Sequence, residues 1–161
     1  RAIKLKDNDY VVSMARVREG AAVLTVTEKG QGRRSELDSY RIQHRGGNGL
    51  KNYKVSDEKG HVCGIKVVDE TDDIIMISDS GIVIRLRASD IRIMGRYATG
   101  VRLMRLDSDN KVVAFTRAEH DDTAEITEIE QPSEEELANE EQKAKDEENA
   151  EVLVEEIPDD E

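Results

Sequence analysis

An all-β fold of repeated, propeller-like blades is what the sequence predicts, and three observations carry that prediction. The stretch Tyr40-Arg41-Ile42-Gln43-His44-Arg45-Gly46-Gly47-Asn48-Gly49 returns in degenerate form 51 residues later, as Ile91-Arg92-Ile93-Met94-Gly95-Arg96-Tyr97-Ala98-Thr99-Gly100. A fixed period of this length marks a repeat architecture. Around both copies the chain is made of short β-branched runs broken by glycine turns, with strand rather than helix periodicity. The pattern then stops after Arg117, where an acidic stretch takes over.

Taken in order, Ile3 to Arg18 reads as a strand pair, with Asp7-Asn8-Asp9 as the turn and Tyr10-Val11-Val12 as the second apolar run. Val23 to Thr27 is a β-branched strand, Glu28-Lys29-Gly30 a turn, and Gln31 to Ser35 a polar strand carrying Arg33 and Arg34. In the second unit, Ile74-Ile75-Met76-Ile77 is continuous, as in a strand buried on both faces. After the turn Ser78–Gly81, Ile82, Ile84 and Leu86 alternate with Val83, Arg85 and Arg87. The 51-residue offset pairs Gly30 with Gly81, Arg34 with Arg85, Arg41 with Arg92, Arg45 with Arg96 and Gly49 with Gly100. At an offset of 101, Val11-Val12 falls on Val112-Val113 and Arg16 on Arg117.

The chain therefore reads as the end of one unit, a second, and the completion of a third, each with about four short strands over ~50 residues. Such blades bury one face poorly alone and need neighbours. Two and a fraction cannot close a ring, so earlier blades are expected before Arg1.

The blades are assigned to residues 1–119 and an acidic tail to 120–161. Gln131-Pro132-Ser133 is a helix-start signal, and Glu134 to Glu148 is helix-compatible. Its apolar positions (Leu137, Ala138, Ala144) are few, so the tail is expected to be disordered or partly helical. Val152-Leu153-Val154 and Ile157 form a small apolar island.

Aromatic residues are 3% of the chain, so the core must rest on aliphatic side chains. The single cysteine, Cys63, forbids an internal disulfide, sits in an apolar run and reads as a small core residue. No apolar run approaches the ~20 residues of a membrane helix, so a soluble, cytoplasmic chain with no membrane partner is predicted. The net charge of −12 conceals an asymmetry. Residues 1–120 hold 22 Lys+Arg against 17 Asp+Glu, and residues 121–161 hold 2 against 19.

His44, His61 and His120 lack companions at metal-ligand spacing, and no phosphate-loop motif is present, so no metal, cofactor or catalytic site is expected within this segment. The arginines are the better candidates. Arg33, Arg34, Arg41 and Arg45 are echoed by Arg85, Arg87, Arg92 and Arg96, and evenly set guanidiniums suit a phosphate backbone. With Gln43, Gly46, Gly47, Gly49, Lys51 and Arg102 they form the expected contact set. The glycines permit turns with φ > 0 and let backbone N–H groups approach an anion. Composition alone accounts equally well for arginines that solvate a face and pair with Asp38 or Asp90; their repetition at matched positions favours phosphate. The four tyrosines are isolated in sequence, so duplex bound through its backbone is expected rather than stacked single strands.

Gln43-His44-Arg45-Gly46-Gly47-Asn48-Gly49 resembles the box motif of the DNA gyrase A C-terminal domain, usually Gln-Arg-Arg-Gly-Gly-Lys/Arg-Gly. Ile74 to Leu106, with Met94-Gly95-Arg96 and Thr99-Gly100-Val101-Arg102, resembles that domain's last blade, and the acidic tail is also similar. The resemblance covers residues 1–117 and implies a β-pinwheel, a propeller-like ring whose perimeter duplex DNA wraps. It implies a non-catalytic part of an ATP-dependent type II topoisomerase that introduces negative supercoils. It further implies the remainder of gyrase A, together with gyrase B, as partners in an A2B2 assembly, ATP and Mg sites outside this segment, and a bacterial, nucleoid-associated location. His44 and Asn48 stand where the box is basic, which implies weaker phosphate binding at this loop. The C-terminal domain of the corresponding topoisomerase IV subunit and a protein-binding propeller scaffold are the alternatives. The tail, opposite in charge to the body, is further expected to compete with duplex as a tethered polyanion, so that truncation after His120 would tighten binding.

Overall fold

The computed structural model describes residues 2–129 and 132–155. Its strands form two antiparallel sheets, each grown around a hairpin. In the first, β1 (Ala22–Thr27) and β2 (Gln31–Glu36) pair, and β3 (Val62–Val68) flanks β1. In the second, β4 (Asp72–Ser78) and β5 (Val83–Arg87) pair, and β7 (Val112–Glu119) flanks β4. The 51-residue offset carries one hairpin onto the other, and short 3-10 turns follow both, at Leu37–Ser39 and Ala88–Asp90. Even the irregularity repeats, falling between Val26 and Thr27 in one sheet and between Ile77 and Ser78 in the other.

The first sheet gains its fourth strand from the second unit. β6 (Val101–Arg102) pairs with β2, setting Arg102 opposite Gln31 and Val101 opposite Gly32. This close approach explains Gly100, whose φ is +92° and whose added Cβ would stand 2.3 Å from the Gly32 carbonyl oxygen. Among the described residues, β5 receives no equivalent strand, and the second sheet has three.

One apolar cluster joins the sheets, drawing Leu24, Val26 and Val68 from the first and Ile74, Met76, Leu86 and Val112 from the second. Ala88, Ile91, Val101 of β6, Leu103 and Met104 complete it from the stretch between β5 and β7. Each of the larger side chains contributes about 1.5–3 kcal/mol by leaving water. Cys63 lies against this cluster, and burial pushes its thiol up to about 11.

Three expectations need correction. β4 is not buried along both faces: Ile74 and Met76 are sealed in the core, whereas on the other face burial fades from Asp73, fully buried, through Ile75, half-buried, to Ile77, exposed. An antiparallel sheet covered on one side requires no more. On β5, Ile84 and Leu86 do turn inward, but Ile82 lies before the strand and is exposed. Residues 3–18 form no strand pair and are held by scattered contacts: a parallel bridge from Ile3 to Gly47 of the loop after β2, a bond from Ser13 Oγ to the Ile65 carbonyl, and Arg18 on the Val67 carbonyl and Asp69. The physical reason lies in the repeat: β3 pairs with β1 and β7 with β4, each inside its own unit, and among the described residues no such strand stands beside residues 11–18.

The tail forms a helix, α1 (Glu134–Glu155). Ser133 and Glu136 make a reciprocal cap: the Ser133 N–H donates to Glu136 Oε2 at 2.8 Å, and the Glu136 N–H to Ser133 Oγ at 3.3 Å. Glu134, Glu135 and Glu136 in the first turn complement the helix dipole. Leu137 is buried against Met94 and Ala98, with Ala144 beside it, so one leucine provides most of the apolar anchor. The side chains of Val152-Leu153-Val154, and Ile157 altogether, lie outside the described residues.

Candidate nucleic-acid interface

The first repeat loop, residues 41–51, leaves β2 through the turn at 37–39 and exposes Arg41, Gln43, Arg45 and Lys51. Gly46 and Gly49 have φ of +80° and +84°, which fold the loop tightly between these side chains. The loop is pinned from the N-terminal segment: Gly46 N–H donates to the Ala2 carbonyl and Lys4 N–H to the Gly47 carbonyl, both at 2.8 Å. Gly46 therefore spends its amide within the chain.

The second loop, residues 91–102, meets the first. Arg96 donates to the Lys51 carbonyl at 2.6 Å and to the Tyr97 hydroxyl at 2.7 Å. Its guanidinium lies 4.5 Å from the Tyr97 ring centroid, and the Lys51 ammonium lies 5.9 Å from it. Two cations from successive repeats are thus held on one tyrosine, each attracted to its ring. Tyr97 is isolated along the chain but not in space, so sequence reasoning missed it. Arg92 and Arg102 are exposed on either side of this loop, and Arg87 is exposed on β5 opposite Asp73.

Arg33 and Arg34 do not belong with them, contrary to the expectation of a shared rim. Arg33 has no exposed surface. Its Nε donates to the Ala98 carbonyl at 2.8 Å, Nη1 to Ser35 Oγ at 2.6 Å, and Nη2 to the carbonyls of Asn52 and Arg96. Arg34, 3% exposed, donates to the Ile91 carbonyl at 2.6 Å and the Ser89 carbonyl at 3.4 Å, with Glu70 at 3.7 Å. Burial lowers both guanidinium pKa values. A polar strand is tolerated inside because these forks satisfy loop carbonyls that would otherwise be orphaned. Beside Arg33, Tyr53 donates to the Thr99 carbonyl, and burial pushes its hydroxyl up to about 12.

Arg85 is also withdrawn. Its Nε donates to Asp73 at 2.8 Å and Nη2 to the Glu119 carbonyl at 2.7 Å. Asp73 is fully buried, and His120 Nδ1 stands 3.0 Å from its other oxygen. Burial alone would raise this carboxyl, but the bonds from His120 and Arg85 outweigh it and hold Asp73 low. His120 is raised above its usual 6.5, first by the hydrogen bond to Asp73. Asp122 at 3.1 Å adds to this and Arg87 opposes it.

A raised histidine stabilises fully below its ordinary pKa and loses that contribution as pH rises through the folded value. The lowered Asp73 acts in the other window, losing its contribution only as pH falls through its depressed folded value, below the ordinary carboxylate range. Lowering the pH from about 8 to about 6 is therefore expected to raise the melting temperature, and His120→Ala is expected to flatten that part of the profile. A parallel profile in the variant would show the pairing to be energetically silent.

The tail helix crosses the second loop. Glu140 accepts the Thr99 N–H at 2.8 Å, Glu147 pairs with Lys54, and Leu137 rests on Met94 and Ala98. Positions 137, 140, 144 and 147 share one helical face, so a sparse sequence still presents a continuous stripe. Neither Lys54 nor Thr99 figured among the expected residues. Among the described residues, no group of three His, Cys, Asp or Glu side chains is arranged to hold a metal, and no helix is long and apolar enough to cross a membrane.

The family model described as the DNA gyrase C-terminal domain, a β-propeller, matches residues 1–18, 21–69 and 72–119. Similar curated relatives include the DNA gyrase A protein of Clostridium acetobutylicum, 42% identical over 103 residues, covering 64% of this chain and 12% of the relative. Another is the DNA gyrase A protein of Salmonella typhimurium, 40% identical over 131 residues, covering 81% of this chain and 15% of the relative. Among solved structures, a DNA gyrase A C-terminal domain superposes with a TM-score of 0.59 at 27% identity, over 63% of this chain and 34% of that one. In fold alone, the C-terminal domain of DNA topoisomerase IV is similar, with a TM-score of 0.68 at 20% identity, over 74% of this chain and 38% of that one. The chain thus spans a small fraction of the curated relatives it matches.

Proposed function

The chain belongs to the DNA gyrase C-terminal β-propeller family, and from that premise we propose that it is a DNA-wrapping part of a type II topoisomerase. The observation that carries the reading is that the two repeat loops carry cations at matching positions, Arg41 and Arg45 exposed in one, and Arg92 exposed and Arg96 half-buried against Tyr97 in the next. Gln43, Gly47, Gly49, Lys51, Arg87 and Arg102 extend the contact surface, and Gly46 shapes it. Arg33, Arg34 and Arg85 act by holding the loops and sheets in place. Contacts of this kind neutralise phosphates and carry little base readout, as wrapping requires.

The finer reading places residues 1–119 as blades and 120–161 as a tail within gyrase A. The larger assembly, A2B2 with gyrase B, would use ATP and Mg bound elsewhere to introduce negative supercoils in a bacterial cytoplasm, and this segment would supply DNA path rather than chemistry. The fold likeness to topoisomerase IV supports a second reading, in which the same surface serves decatenation. Supercoiling against decatenation by the full enzyme separates the two.

For the chain itself, log K for duplex should fall linearly with log salt, by about 0.9 per phosphate neutralised. Arg45→Ala and Arg92→Ala are each expected to reduce that slope by about 0.9 and to weaken all duplex sequences alike. Fluorescence anisotropy across a salt series checks this, and slopes unmoved by both substitutions would sink the proposal.

A further inference from the structure

We propose that residues 124–129 stand in for a following repeat unit, sealing the outer edge of β5 as the second unit seals β2. This is independent of the DNA reading and concerns a segment separate from the tail helix. On β2, the edge is taken by the second unit: Met94 N–H donates to the Arg34 carbonyl at 2.9 Å, and Arg34 N–H to the Arg92 carbonyl at 3.4 Å. Ile91, close by in sequence, is fully buried in the core. The 51-residue offset takes Arg34 to Arg85. The Arg85 carbonyl accepts the Thr127 N–H at 2.7 Å, and Ile129 packs against the same core cluster.

The tail thus engages the repeat-equivalent atom and sets an apolar anchor beside it. The anchor follows the hydrogen-bonded residue here, whereas in the repeat it precedes it. Thr127 and Glu128 also line a small cleft with Ile84, Leu103, Arg102 and Arg105, which sets an acidic side chain on the cap beside two cations.

Coverage is partial. The counterparts of Gln31 and Gly32, where β6 pairs in the first blade, are Ile82 and Val83, and these remain 48% and 60% exposed. Ile82 spends its C=O on the Ser78 N–H and its N–H on Ser78 Oγ, so what stays uncovered here is the apolar side-chain surface of the edge. By holding the Arg85 position, the connector closes the half of the edge that any incoming unit must also take, and so ends the array.

The test is amide hydrogen exchange on the full chain, comparing β5 with β2 in the same sample. Thr127→Pro removes the donor, Ile129→Asp removes the anchor, and Ile129→Val preserves it. Exchange across Val83–Arg87 is expected to accelerate about tenfold or more in the first two variants. Exchange across Gln31–Glu36 should stay unchanged, and Ile129→Val should behave as the parent. Exchange of β5 within about twofold of the parent in both disruptive variants would overturn the proposal.

Discussion

Removal of the chain beyond Glu130 is expected to tighten duplex binding by about tenfold or more at low salt, with the gain shrinking as salt rises. The truncation spares the connector on β5 and deletes the helix that lies across residues 94–99. That helix delivers Glu140 to the Thr99 amide and Glu147 to Lys54, each three residues along the chain from a proposed DNA contact, Arg96 and Lys51. The removed segment carries 14 Asp+Glu against 2 Lys, and residues 1–130 are left with equal numbers of each sign. A tethered competitor acts at an effective concentration near the millimolar range, so even a weak intrachain contact suppresses an intermolecular one. Salt dependence separates this from simple occlusion, because screening weakens a polyanion far more than it weakens packing of Leu137. Anisotropy titrations at about 50 mM and about 300 mM salt measure it. Glu140→Gln with Glu147→Gln in the full chain should reproduce part of the gain. Equal affinities for the parent and truncated chains at both salts would leave the helix a packing element only.

Replacing Arg33 is expected to destabilise the fold by about 3–5 kcal/mol, among the largest effects of any single charged residue in the chain. Its guanidinium is completely buried with no carboxylate partner among the described residues and bonds to the carbonyls of Ala98, Asn52 and Arg96 and to Ser35 Oγ. Arg33→Ala orphans these acceptors, each at about 1–3 kcal/mol when left dry, and water entering the vacated space recovers part of that. Arg33→Lys should rescue less than half, because an ammonium cannot reproduce the planar fork. Arg45→Ala, on an exposed loop, should change stability by less than about 0.5 kcal/mol. Urea denaturation distinguishes the two roles: both substitutions weaken DNA binding, but only the loss at Arg33 should track unfolding. If Arg33→Ala melted like the parent, the inward assignment would be wrong.

The backbone plan was legible because the 51-residue offset equates whole hairpins, and glycine turns mark where each begins. The direction of the arginines was not. Alternation would send Arg33 and Arg34 to opposite faces, one of them to solvent, yet both find carbonyls contributed from 57 and 65 residues away. No local pattern encodes so distant an acceptor. The same holds for Tyr97, whose cationic neighbour Lys51 comes from the preceding repeat. Residues 3–18 misled for a simpler reason: strand-like composition makes a strand only where a partner edge exists. The tail helix was half legible, since Gln131-Pro132-Ser133 announces its start while its few apolar positions hide how it docks.

The loan of Val101–Arg102 to β2 has a consequence for how the molecule is made. Gly32 must wait for Val101 before its sheet is complete, so during synthesis the first hairpin emerges from the ribosome with an unsatisfied border while its closing strand is still being translated. Long separations of this kind slow folding, and the nascent chain is most vulnerable to mispairing in that interval. A pinwheel built this way matures one module behind the point of elongation.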